Sequence, residues 1–232
     1  MVIISQIELN KIYCMDCLEG MKRLDNKSID LVITDPPYNA NYGFQNDNLT
    51  EKEFYNFATK WIRECERISK HGIIFIVDTK YSLPFYRIPN IEFHHTYTHF
   101  KNNAMRAMYG GFANKTEIIC FTDIKPKKSK EFPNDVWIIP IVPQDTEHPT
   151  PKPVKLIDVI IEKFTEENDI LVDPFLGRGT LAISCLKNNR NYIAFEIEKK
   201  WYYESIKNIG KFNKKYYEQL PDEEKPAKLQ LF

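Results

Sequence analysis

An acid, two prolines and an aromatic ring, Asp35-Pro36-Pro37-Tyr38, follow directly on the apolar run Leu31-Val32-Ile33-Thr34. A short run of this kind reads as a buried strand, so Asp35 emerges where the strand leaves the core. Pro36 and Pro37 have fixed φ and no N–H, and Pro37 also drives Pro36 away from the helical region. The carbonyls of this segment are therefore held in set directions, and Tyr38 adds a flat amphipathic face. Such a set suits an exocyclic amino group on an aromatic base. The lone pair of that nitrogen is delocalised into the ring, which makes it a poor nucleophile. A carboxylate and a rigid carbonyl, each accepting one amino hydrogen, draw the nitrogen towards tetrahedral geometry and stabilise the charge that develops on it. With the base stacked on the tyrosine and a methyl donor held in line, direct displacement needs only positioning.

A second constellation lies late in the chain. Residues 169–180, DILVDPFLGRGT, read as a strand ending in Asp173, a turn holding Gly177 and Gly179, and the start of a helix. The whole protein has eight glycines, so two within three residues concentrate backbone freedom at one turn. Residues 191–198, NYIAFEIE, follow as another strand ending in Glu196. Strand, glycine turn, helix, strand and acid is the plan of a nucleoside pocket, the acid accepting hydrogen bonds from ribose hydroxyls. The third glycine of a dinucleotide fingerprint is missing, and Asp173 would repel a pyrophosphate. S-adenosylmethionine, with a ribose, an ammonium group and no phosphate, fits.

These segments need a sheet that brings both strand ends to one rim. Strand patterns fall at residues 11–15, 30–34, 73–77, 93–100, 116–121, 169–172 and 192–195. Helical patterns fall between them: one opens at the capping box Thr50-x-x-Glu53 and runs to about Ser69, and others cover 154–164, 181–187 and 199–209. Short apolar strands alternating with helices imply an α/β fold with a mostly parallel sheet covered on both faces. Residues 125–145, with four prolines, read as an irregular connection, and the chain after Lys211 reads as a polar tail.

Lys plus Arg balance Asp plus Glu at 32 each, so the total charge names no partner. Residues 101–130 hold seven basic side chains against Glu117 and Asp123, a local excess that suits phosphate contacts. No apolar run approaches the roughly 20 residues of a membrane span, and no signal-peptide pattern opens the chain, so a cytoplasmic protein is expected. The CxxC of Cys14 and Cys17 lacks the second pair of a zinc site. His94, His95 and His99 do not share one strand face, which disfavours a metal centre.

Asp35-Pro36-Pro37-Tyr38 resembles motif IV of the amino-methylating DNA methyltransferases, and Phe175-x-Gly177-x-Gly179 resembles their motif I. The order, catalytic motif first, resembles the β class, in which the fold is circularly permuted. Residues 148–161 resemble that class's segment leading into motif I, and residues 14–24 its acidic element near Asp16. Two positions depart: Pro151 stands where glutamine is common, and Arg178 where the residue is more often small.

The resemblance implies a Rossmann-like, seven-stranded methyltransferase fold in a single domain. Residues 11–125 would form the catalytic half, 79–147 the target-recognition region, 148–210 the cofactor half and 211–232 a tail. It implies Asp35, Pro36, Pro37 and Tyr38 as the catalytic site. The S-adenosylmethionine pocket would hold Asp16, Cys17, Lys152, Asp173, Phe175, Gly177, Gly179, Thr180 and Glu196. Asn102, Asn103, Arg106, Lys125, Lys127 and Lys128 would face double-stranded DNA. The aspartate form of motif IV favours adenine N6 of a flipped-out base. The implied partners are DNA, a cognate restriction endonuclease and a second copy in a homodimer.

Cytosine N4 is the alternative target. An RNA or protein-glutamine methyltransferase, a catalytically silent DNA-binding subunit and a nicotinamide oxidoreductase are more distant readings. Cytosine C5 chemistry is disfavoured, because it needs a Pro-Cys nucleophile that the chain lacks. The last five residues, KLQLF, resemble a sliding-clamp docking peptide without its leading glutamine.

Overall fold

In the computed structural model the described residues are 7–41, 43–88, 91–103, 107–108, 112–113, 115–122, 135–141, 152–221 and 225. Arg106, Lys125, Lys127, Lys128, Pro151 and the KLQLF terminus lie outside them. The strands of the main sheet are β1 (Lys11–Cys14), β2 (Leu31–Thr34), β3 (Ile73–Asp78), β4 (His95–Phe100), β7 (Thr116–Phe121), β8 (Val136–Ile138), β9 (Ile170–Asp173) and β10 (Asn191–Glu196). A separate hairpin pairs β5 (Ala107–Met108) with β6 (Phe112–Ala113). The helices are α1 (Cys17–Met21), α2 (Glu51–Ile68), α3 (Leu83–Tyr86), α4 (Val154–Phe164), α5 (Thr180–Lys187), α6 (Lys199–Phe212) and α7 (Lys214–Gln219).

The sheet runs β1-β10-β9-β2-β3-β7-β4-β8, parallel from β1 through β3 and at β4-β8, with β7 antiparallel to both its neighbours. It has eight strands where seven were expected. The extra one, β8, lies in the proline-rich stretch read as irregular. Only Trp137 of β8 turns inward; Val136 and Ile138 are exposed, so the segment carries little apolar signal.

Alternation along the strands supplies the two cores. Ile74 and Ile76 of β3 face α4, α5 and α6, whereas Ile73, Phe75 and Val77 face α1, α2 and α3. Helix α2 shows how local sequence fixes an element. Thr50 and Glu53 satisfy each other's backbone N–H groups, with Thr50 N donating to Glu53 Oε2 at 2.9 Å, and Phe54, Ala58, Trp61, Ile62, Cys65 and Ile68 form the buried stripe. Cys17 begins α1, two residues past the first strand pattern. The Asp16 carboxylate caps that helix by accepting from Leu18 N and Glu19 N. The polar tail begins with helix α7, whose Asn213 cap accepts from Tyr216 N.

One feature of the topology positions the site. The adjacent strands β2 and β9 are parallel, but the helix after β2 packs on one face of the sheet and the helix after β9 on the other. The two connections diverge there and leave a crevice at the carboxyl ends of both strands, where ligands bind in open α/β sheets.

Candidate active site

Asp35 leaves β2 and Asp173 ends β9, so both acids stand at the mouth of that crevice. They line one cavity together with Asp16, Lys152, Gly177 and Glu196. A direct bond ties its two sides: Thr34 Oγ1 donates to Asp173 Oδ1 at 2.7 Å, and Phe175 N donates to the same oxygen at 3.0 Å.

The glycine turn is held by Glu196, the acid expected at a ribose. Gly177 N donates to Glu196 Oε2 at 2.8 Å and Glu198 N to Oε1 at 2.9 Å. Ile197 N–H also acts on this carboxylate, and its remaining lone pairs can accept from a ligand hydroxyl. Gly179 precedes α5 with φ +89°, the left-handed region that favours glycine, and a Cβ there would lie 3.2 Å from Ser205 Cβ. Thr180 Oγ1 donates to the Lys152 carbonyl at 3.5 Å, joining α5 to the segment before α4. Phe175 lines the cavity and packs edge-on against Trp61, 5.4 Å between ring centroids.

Burial pushes Asp173 up to about 7, against the Phe175 N–H and the Thr34 hydroxyl, with Asp35 and Glu196 adding to the rise. Burial likewise pushes Glu196 up to about 7. Six carboxylates line the cavity (Asp16, Asp35, Asp47, Asp173, Glu196 and Glu198) against the cations Lys152 and Arg178. Three of these acids, Asp35, Asp173 and Glu196, are raised by burial, and a cationic ligand would favour their charged forms. The donor set therefore fits S-adenosylmethionine: a sulfonium and an ammonium supply positive charge, and a ribose diol meets Glu196. Cys17 is a buried thiol raised by burial, unsuited to nucleophilic work.

At the other end of the cavity both Asp35 oxygens are engaged. Tyr38 Oη donates to Oδ1, and Lys152 Nζ donates to Oδ2 at 2.6 Å. Burial raises the Asp35 pKa, Lys152 opposes the rise and Glu117 adds to it. Tyr38 is buried, its ring stacked on Tyr81 at 5.7 Å between centroids. Lys152, expected at the cofactor, thus has its ammonium on Asp35.

Of the residues expected on a DNA face, Asn102 and Asn103 are described. Asn102 and Asn103 sit exposed in the turn after β4, but Asn103 is engaged with the Ile141 backbone, Nδ2 donating at 3.0 Å and Oδ1 accepting at 2.7 Å. Lys101, counted in the basic excess, is buried against Glu117 and Asp78 and makes no part of a phosphate footprint. Spacing did not reveal the loop of residues 39–41 and 43–50, part of which lines the cavity: Phe44 meets Trp201 and Gln45 N donates to Glu198 Oε1 at 3.1 Å. Its left-handed Asn39, Asn41 and Asn46 were the available signal.

Residues 29–208 match the family described as DNA methylase, of the N6 and N4 amino class. The chain belongs to that family. It is 31% identical over 224 residues to the Type II methyltransferase M.HpaI of Haemophilus parainfluenzae, covering 82% of this chain and 71% of that protein. The solved PvuII DNA methyltransferase, cytosine-N4-specific, shares the fold with a TM-score of 0.69 at 17% identity, over 84% of each chain. The M1.HpyAVI–SAM complex aligns with a TM-score of 0.64 at 22% identity, over 86% of this chain and 98% of that one. This DNA methylase is accordingly an amino-methylating enzyme of the N4/N6 class. Among its described residues no helix is long and apolar enough to cross a membrane.

Proposed function

We propose that this DNA methylase transfers the methyl group to N6 of an adenine flipped out of double-stranded DNA, within a type II modification system that includes a cognate restriction endonuclease. The observation that carries this reading is the placement of Asp35 on the same cavity as Asp173 and Glu196, across the crevice between β2 and β9. The aspartate form of the motif favours adenine; cytosine N4 presents the same two hydrogens and is the second target.

S-adenosylmethionine supplies an electrophilic methyl on a sulfonium when bound. Asp173 receives its ammonium, Glu196 its ribose hydroxyls, and Asp16 lines the adenosyl end with Cys17 and Phe175. Gly177, Gly179 and Thr180 keep the turn close to it. The entering amine replaces the Tyr38 hydroxyl at Asp35 Oδ1, and the Pro36 carbonyl, held by Pro37, accepts the second hydrogen. The freed Tyr38 ring then packs on the base. The bound donor would supply the methyl group to the amine nitrogen and leave as the neutral thioether, and the Asp35 carboxylate would take the surplus proton from that nitrogen. Asn102, together with Arg106, Lys125, Lys127 and Lys128, is assigned to the DNA face.

Replacing Asp35 tests this reading. Asp35→Ala is expected to abolish methyl transfer to DNA while S-adenosylmethionine still binds in a calorimetric titration. Retained transfer in that variant would contradict it.

A further inference from the structure

Behind the amino-group acid lies a group of charges that the displacement itself does not use. Lys152 Nζ sits 2.6 Å from Asp35 Oδ2 and 3.6 Å from Glu117 Oε1. Glu117 Oε2 is 2.9 Å from His99 Nδ1, and His99 Nε2 is 2.8 Å from the Ile139 carbonyl. Lys101 lies 3.7 Å from Glu117 and 4.0 Å from Asp78. The side chains of Lys152, Glu117 and His99 are only 7%, 9% and 0% exposed. They come from the segment before α4, from β7 and from β4, where His99 and Glu117 are direct cross-strand partners.

Hydrogen-bond accounting gives the charges. Burial favours a neutral Glu117, but Lys152, His99 and Lys101 together hold it down at about 2, so it is a carboxylate. Both His99 nitrogens then face acceptors, and each must carry a proton. Lys101, Lys152 and His99 balance Asp35, Asp78 and Glu117. A buried network of this kind is a poor source of stability, because desolvation offsets most of the attraction. Its position is what matters, since one end is the carboxylate that must receive the amine. The Asp35 oxygens also differ: Oδ1 holds a hydroxyl that an amine can replace, whereas Oδ2 holds a buried ammonium with a second anion behind it.

We propose that Lys152, Glu117 and His99 are positioning residues for Asp35: the ammonium, held from behind by Glu117 and His99, keeps Asp35 ionised and fixes Oδ2 so that Oδ1 faces the amino group. This rests on the amino-methyltransferase reading. Lys152 on this view serves the base site and not the methyl donor.

The signs of two perturbations separate this role from simple support of the fold. Lys152 holds the Asp35 pKa down and Glu117 holds it up, so removing each charge moves Asp35 in opposite directions. Tyr38 and Asp173 also face Asp35, Asp78 faces Lys152 and Tyr38, and all three remain in both variants. Carbon-13 NMR of aspartate-labelled protein, which needs no turnover, is expected to show the Asp35 titration displaced to higher pH in Lys152→Met and to lower pH in Glu117→Gln. The acid limb of kcat moves with it. In Lys152→Met kcat is expected to fall roughly 100-fold, the scale on which one preorganised electrostatic partner acts, with S-adenosylmethionine affinity retained.

Lys152→Met leaves this buried cluster one positive charge short and can unfold the chain. The charge-balanced double variant Lys152→Met/Glu117→Gln is expected to recover the unfolding temperature while kcat stays low. An unmoved Asp35 titration, a recovered kcat in the double variant, or a loss confined to S-adenosylmethionine affinity would overturn the proposal. A wild-type chain that transfers no methyl group to DNA while the titrations move as stated would instead count against the methyltransferase reading.

Discussion

Thr34→Val removes one hydroxyl from the wall between the two halves of the site and leaves shape nearly unchanged. Thr34 Oγ1 donates to Asp173 at 2.7 Å, and both groups are buried. A hydrogen bond to a charged group is worth about 1.5–3 kcal/mol, or roughly one to two pH units in the titration of its acceptor. Asp173 already stands at about 7 because burial outweighs its two donors. Its ionised form is the one that attracts an ammonium, so S-adenosylmethionine affinity is expected to weaken as pH falls through about 7 in the wild type. In Thr34→Val the midpoint moves upward by about one to two pH units.

The free protein shows the complementary trend. Asp173 and Glu196 bind protons more tightly folded than unfolded, so their contribution to stability is full below about pH 4 and is lost as pH rises through about 7. For Asp173 that change is about 4 kcal/mol at most. Asp35, also raised by burial, acts in the same direction. Calorimetric binding from pH 6 to 9 and unfolding of the ligand-free protein from pH 4 to 8 measure both effects. Affinity of Thr34→Val that follows the wild-type pH curve, with ligand-free stability that does not fall between pH 4 and 7, would refute the reasoning.

Two glycines give further tests. A Cβ on Gly20 of α1 would lie 2.2 Å from Phe195 Cε1, in a fully buried ring. Alanine gains at most about 1 kcal/mol of helix propensity there, against about 1–3 kcal/mol of overpacking, so Gly20→Ala is expected to lower stability in a urea titration. Gly179→Ala forces a side chain into the left-handed region at a cost of about 1–2 kcal/mol, and it crowds Ser205. Weaker S-adenosylmethionine binding is the expected outcome, read by the same calorimetry.

What could be read from the sequence was local. The Thr50–Glu53 capping box, the two acids at strand ends and the paired glycines all signal within a few residues, and each stands where its spacing placed it. Long-range partnerships left no such trace. Lys152 meets Asp35 across 117 positions, and nothing near either residue names the other. His99 reads as one of three strand histidines until the antiparallel register sets it opposite Glu117. Lys101 belongs to a basic stretch by composition, yet the same register turns it inward to two acids. Strand β8 was hidden because an edge strand with one inward residue among flanking prolines lacks the alternation of a half-buried strand.

The most direct measurement is transfer of a labelled methyl group from S-adenosylmethionine to double-stranded DNA by the wild-type protein, followed by digestion and separation of the nucleosides. The expected result is label in N6-methyladenine alone. Label in N4-methylcytosine would contradict the assignment of the base, and DNA left unlabelled would contradict the reading of Asp35-Pro36-Pro37-Tyr38 as a site for an amino group.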